Sequence, residues 1–296
     1  MLARTHKPGV GGSNPPLATK NFMKNLSFFC LTLDPEHEHM IKNLSYIPVG
    51  LGDKKFSDNC FTDKNGENIS NKNPNYGEYT FHYWIWKNYL EKIKTDWVGF
   101  CQYRKFFLKE NFKDNNFSTF ENLKQNIIEN ISNDLFDYDC ILGEQSYVNN
   151  FKFMKFFKQN PRKLLFSPSF IFLKKKRNIK FHFDIFHGEG HLESAIELLD
   201  AEHKDDFKSF IETRSSFNPH NMFICKKEIL KSYYETIFPW LEKCEGIFGF
   251  KTLKGYGMTR IYGFLAERFL SYWFLKNYKV KELPIIVKNL SDYKNL

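Results

Sequence analysis

Long apolar runs are missing from this 296-residue chain. No stretch approaches the roughly 20 consecutive apolar residues that a membrane-spanning helix needs, and no signal peptide is expected ahead of the first strand candidate. Paired cysteines are missing too: Cys30, Cys60, Cys101, Cys140, Cys225 and Cys244 lie far apart and form no C-x-x-C. That spacing argues against a disulfide-dense scaffold or a zinc ribbon and for a reducing, cytoplasmic setting. No internal repeat is visible. Acidic residues are absent from one long segment, Gln145 to Phe183.

Aromatic residues and positive charge are abundant. An aromatic content of 18%, with 33 Phe, belongs to a packed globule and not to a disordered chain. The net charge is +9, and the acid-free segment 145–183, with ten Lys and Arg, accounts for all of it. Its cations alternate with large apolar groups, as in FKFMKFF and LLFSPSFIFL, a pattern suited to anionic lipid headgroups at an inner membrane face. A solvated basic face around a buried strand explains it equally well. No nucleic-acid-binding motif accompanies the charge, so nucleic acid is not an expected partner.

Along the chain, residues 1–22 are rich in Gly and Pro and are expected to lie outside the fold. Residues 23–296 are expected to form one domain. LSFFCLTL (26–33), SYIPVGLG (45–52), WVGFC (97–101), DYDCILG (137–143) and NMFICK (221–226) read as strands. Helical spacing covers roughly 118–131, 191–214, 227–244 and 257–276. The alternation predicts an α/β fold with a mainly parallel central sheet and a more helical C-terminal half. In such sheets ligands bind beyond the carboxyl ends of the strands, where Gln102, Tyr103 and Arg104 follow WVGFC.

NYGEYTFHYWIWKN (75–88) reads as a helix opened by a capping box of Asn75 and Glu78. Its spacing predicts two stripes. Phe81, Trp84 and Ile85 would pack on the sheet, and Tyr76, Thr80, Tyr83 and Lys87 would face a ligand. Farther on, Arg260, Phe264, Glu267 and Ser271 share a stripe of the last long helix.

Together with GENIS (66–70), WVGFCQYRKFF (97–107), HNMFICKKEIL (220–230) and RIYGFLAERFLSYW (260–273), the stretch NYGEYTFHYWIWKN resembles the domain-of-unknown-function 4422 family. The resemblance runs from about residue 26 to about residue 276 in one motif order. It implies a GT-A-like (Rossmann-like) glycosyltransferase of capsule and surface polysaccharide loci. Its partners would be a nucleotide-sugar donor, UDP-linked foremost, and a glycan or lipid-linked acceptor. The chain departs from the family where H-Y-R-R is replaced by Gln102-Tyr103-Arg104-Lys105, where E-L-T is replaced by Glu78-Tyr79-Thr80, and where His191 stands in place of an acid.

Glycosyl transfer requires that the charge on the departing diphosphate be stabilised and, with inversion, that the acceptor hydroxyl be deprotonated. Many GT-A enzymes meet the first need with D-x-D and a divalent ion, Mg or Mn. The strand end here carries Gln-Tyr-Arg instead. The remaining D-x-D, Asp137-Tyr138-Asp139, precedes a strand and is a weak metal candidate. Arg104 and Lys87 are therefore the candidate cations, with Tyr76, Glu78, Tyr83, Gln102 and Tyr103 as further donor-binding candidates. His220, Asn221 and Arg260 are assigned to the acceptor side. Glu267, in the G-F-L-A-E-R segment, is the candidate base of an inverting reaction. Two alternatives stay open: a non-catalytic basic module that binds membrane or nucleic acid, and a zinc-dependent hydrolase using His187 and His191.

Overall fold

The computed structural model describes residues 25–109, 117–150, 177–251 and 253–293. The expectations for residues 1–22, and for most of the basic segment 145–183, fall outside those residues. Within the described segments, β1 (Leu26–Thr32), β2 (Ile47–Gly50), β3 (Phe61–Thr62), β4 (Trp97–Gln102), β5 (Lys105–Phe107), β6 (Cys140–Gly143), β7 (Ser146–Tyr147), β8 (Ser216–Phe217), β9 (Phe223–Lys226), β10 (Val280–Leu283) and β11 (Ile285–Val287) are the strands. The main sheet runs β10-β6-β9-β4-β1-β2-β3, with β5 and β11 attached beside β4.

Neighbours β10 and β6, β4 and β1, β1 and β2, and β2 and β3 are parallel. The sheet is therefore largely parallel, as expected. Within that run β9 departs, being antiparallel to both β4 and β6, and the attached β5 and β11 pair antiparallel as well. Periodicity reveals that a strand is buried but carries no information on its direction. The reversal has a consequence for the site. Residues that precede β9 emerge at the same edge as residues that follow β4.

Both faces of the sheet are covered, and the sequence alternates to match. Phe29 and Leu31 join Val98, Phe100, Phe223 and Cys225 on one side, whereas Phe28, Cys30, Trp97, Cys101 and Ile224 lie on the other. Strands buried on two faces read as continuous apolar runs. The first face is covered by helices that include Tyr79–Trp84, Ile179–His187, Lys227–Phe248 and Ile261–Asn277.

The expected helix 191–214 is two helices, His191–Ile196 and Ala201–Thr213, and the last long helix is preceded by a short turn, Tyr256–Thr259. A larger correction concerns residues 75–88. A short helix, Asn73–Tyr76, ends at Gly77, whose φ of 59° and ψ of −130° lie outside helical space. A new helix starts at Tyr79. Asn75 donates its amide to the Thr259 carbonyl at 2.7 Å, and Glu78 makes no capping hydrogen bond. Because Gly77 resets the helical phase, Tyr76 and the residues after it do not share one stripe.

Candidate active site

A cleft of about 260 Å³ opens at the carboxyl ends of β1, β2 and β4. Leu31 to Leu33, Leu51, and Gln102 to Lys105 line it from the sheet; Gly77 and Glu78 line it from the broken helix; His220 and Asn221 come from ahead of β9; Tyr256, Arg260, Gly263, Phe264 and Glu267 come from the C-terminal helices. The topology explains the convergence. The strand ends of a parallel sheet provide one wall, and the reversed β9 adds the residues before it.

Two carboxylates organise the polar groups. Glu78 accepts from Asn221 Nδ2 at 2.9 Å and Gln102 Nε2 at 3.4 Å through one oxygen, and from Arg260 Nη2 at 2.9 Å through the other. Glu267 accepts the backbone N–H of His220 at 2.6 Å, and its other oxygen pairs with Arg268. Arg268 is 1% exposed and lies over the Phe217 ring at 3.8 Å. A buried guanidinium that pairs with a carboxylate fixes the carboxylate's direction as well as its charge.

His220 and Asn221 both have positive φ, 84° and 52°. Non-glycine residues take this conformation seldom and at a cost of order 1–3 kcal/mol each. Here it turns the His220 amide toward Glu267 while the Asn221 side chain reaches Glu78 and the Gly263 carbonyl. Burial holds the His220 imidazole down at about 4, with Lys105 adding to the effect. It is therefore neutral near pH 7.

Of the residues singled out in the sequence, Glu78, Gln102, Tyr103, Arg104, His220, Asn221, Arg260 and Glu267 come together in this cleft. Tyr76, Tyr83 and Lys87 do not line it. Tyr76 is buried, donates to Glu245 at 2.6 Å and stacks on Tyr262. Tyr83 donates to Glu67 at 2.8 Å, and Lys87 lies 3.9 Å above the Trp86 ring and pairs with Glu67. The break at Gly77 separates Tyr76 from the residues after it, while Tyr83 and Lys87 turn together toward Glu67.

Asp137 and Asp139 sit before β6, at the sheet edge opposite the cleft, and Asp139 pairs with Lys226 at 2.8 Å. His187 is buried against Phe264, and burial lowers it to about 2. His191 directs Nδ1 to the His187 carbonyl. Among the described residues, no three His, Cys, Asp or Glu side chains converge as metal ligands, so the zinc alternative built on His187 and His191 finds no third ligand there. Also among the described residues, no helix is long and apolar enough to cross a membrane.

Sequence reading left several lining residues unassigned, namely Lys105, Tyr256, Gly263 and Phe264, together with Arg268 behind the cleft. Lys105 stood in the quoted motif next to Arg104. Arg268 followed Glu267, and its burial had no signal in a charged dipeptide on a helix.

A doubly covered, largely parallel sheet with a reversed β9 near its centre and a polar cleft at its carboxyl edge is a GT-A-like fold. The chain belongs to the family described as domain of unknown function DUF4422, whose model matches residues 33–278. Among solved structures it is similar to the bifunctional glycosyltransferase WbbM in its apo form, with 21% identity, a TM-score of 0.66, 90% of this chain covered and 46% of that one. The chain thus spans less than half of WbbM. It also aligns with core-mannan synthase A (CmsA/Ktr4) from Aspergillus fumigatus in a Mn/GDP form, with 12% identity, 78% of this chain and 67% of that one covered, and a TM-score of 0.30, too low to indicate a shared fold. No curated protein matches.

Proposed function

We propose that the protein is a glycosyltransferase that moves a sugar from a nucleotide donor, UDP-linked foremost, to a surface polysaccharide or lipid-linked glycan, with inversion. The observation that supports this most directly is the meeting of Arg104, Arg260, Glu78 and Glu267 in one cleft at the carboxyl edge of a GT-A-like sheet. Arg104, exposed at the end of the β4 turn, is suited to pair with a phosphate of the donor. Gln102 and Tyr103 flank it, and Tyr103 is braced by stacking on His37 at 4.9 Å.

Of the two carboxylates, Glu267 suits the base better. Glu78 is tied to three side chains, whereas Glu267 is held by one backbone amide and one buried arginine that fixes its orientation. His220, Asn221 and Arg260 then border the acceptor. Mg or Mn would need several hard oxygen ligands. The cleft's two carboxylates are each already paired with a guanidinium, a donor set that does not fit such an ion.

Incubation with a panel of UDP, GDP and CMP sugars, with and without chelator, tests the reading. Binding and turnover of one nucleotide class is expected. A protein that neither binds nor turns over any of them is not a transferase of this kind. Glu267→Gln should lose about 10²-fold or more in turnover while donor binding is kept. Unchanged turnover removes Glu267 as base, and a loss confined to Glu78→Gln transfers that role to Glu78.

The expectation of membrane attachment through 145–183 is proposed with it: the basic aromatic segment would hold the enzyme near a lipid-linked acceptor at the inner membrane face. Such attachment weakens steeply with salt.

A further inference from the structure

Lys105 occupies an unusual position. It opens β5 directly opposite Gln102 across a two-residue turn, and residues opposite each other in an antiparallel pair project from the same face. Both reach His220: Gln102 Nε2 donates to its carbonyl at 3.2 Å, and the Lys105 ammonium meets its Nδ1 at 2.9 Å. With the imidazole neutral, Nδ1 accepts from the ammonium and the ring proton sits on Nε2. Lys105 is thus a half-buried cation hydrogen-bonded to the neutral His220, while Glu78 and Glu267 act on it through space.

Burial, with Arg104 next to it, pushes the Lys105 ammonium below its usual range. Neither Glu78 nor Glu267 is hydrogen-bonded to this ammonium, Arg104 stands next to it, and a diphosphate carries charge enough to satisfy both cations. The short β4–β5 turn places Arg104 and Lys105 side by side at the cleft wall.

We infer that Lys105 is the group that meets the charge developing on the departing diphosphate, with His220 as the positioning residue that aims its ammonium. The inference rests on the transferase reading above. In the step, the bond from the sugar anomeric carbon to the diphosphate oxygen breaks and its electron pair stays on that oxygen beside Lys105. The acceptor oxygen bonds to the anomeric carbon and gives its proton to Glu267. Products are the glycoside and the nucleoside diphosphate.

Calorimetric titration with inorganic pyrophosphate, on the full chain, separates this inference from the reading beneath it. Wild type is expected to bind. Lys105→Met should bind at least 10-fold more weakly and lose turnover mainly in kcat, while Lys105→Arg recovers most of the affinity. Equal binding by wild type and Lys105→Met, with turnover kept, overturns the inference and leaves the transferase reading intact. A wild type that binds neither pyrophosphate nor any nucleotide sugar removes both. If the Met variant does not fold, acetylation of wild-type Lys105 followed by mass spectrometry decides instead: pyrophosphate should slow the modification, and an unchanged rate refutes the contact. Replacement of His220 by Phe should lower kcat with little change in KM, and equal effects on both would reduce His220 to a structural role.

Discussion

Gly77→Ala tests the joint on which the site depends. At φ 59° and ψ −130° the backbone is in a region that side chains disfavour, so a Cβ costs about 1–3 kcal/mol there. The added carbon would also lie 2.0 Å from Arg260 Nη2. A guanidinium is the flexible end of its side chain and moves aside, which sacrifices the 2.9 Å pair with Glu78. That pair, partly exposed, contributes up to about 1 kcal/mol more. A total near 2 kcal/mol lowers the midpoint of thermal unfolding of a chain of this length by about 3–4 °C, readable by circular dichroism. Arg260→Met serves as the control, because it removes the same pair without touching the backbone. It should cost about 1 kcal/mol or less. If Gly77→Ala melts with the wild type, or no lower than Arg260→Met, the positive-φ break between the two helices is refuted.

Three further outcomes are expected. Arg268→Met leaves the mostly buried Glu267 carboxylate without its guanidinium partner, held only by the His220 N–H, and should destabilise by about 3–5 kcal/mol in urea unfolding; the double variant with Glu267→Gln should recover part of that, and simple additivity would show that the two do not interact. Stability should fall on acidification below about pH 6.5. Burial holds His82 down at about 3 and His187 at about 2, so the unfolded chain takes up protons that the folded one refuses, at about 1.4 kcal/mol per pH unit for each histidine; a flat urea midpoint between pH 7.5 and 5 contradicts their burial. Asp139→Asn and Lys87→Met should leave turnover unchanged and shift stability by about 1 kcal/mol or less, since both residues make partly exposed pairs away from the cleft; lost activity in either would place the site elsewhere.

The central strands were legible in the sequence because burial on both faces forces continuous apolar runs, as in Leu26–Thr32 and Trp97–Gln102, whereas the short β3, β5, β7 and β8 and the C-terminal β10 and β11, only partly buried, gave no such run. Strand direction was not, since an antiparallel β9 and a parallel one have the same composition. The stripe of Tyr76, Thr80, Tyr83 and Lys87 failed for a different reason. Helical spacing transfers a face from one residue to the next only while the backbone stays helical, and a glycine in the first turn carries no outward mark that it will take positive φ. Arg260, Phe264 and Glu267 lie within a turn or two of one another at the start of a continuous helix, and they do share the cleft wall.

The same distinction explains which charged residues could be found. Arg104 stood out because a cation at the end of a buried strand needs a partner, and that inference depends only on position along one element. Lys105 needed the β4–β5 turn and His220, which comes from 115 residues farther along the chain. Glu78 shows the limit most clearly. As the third residue of a capping box it would have closed a helix; once Gly77 breaks that helix, the carboxylate is released to bind Arg260, Asn221 and Gln102. One backbone angle therefore converts a structural acid into a wall of the cleft, which is why replacing Gly77 should alter the site more than replacing any ring in the aromatic cluster after it.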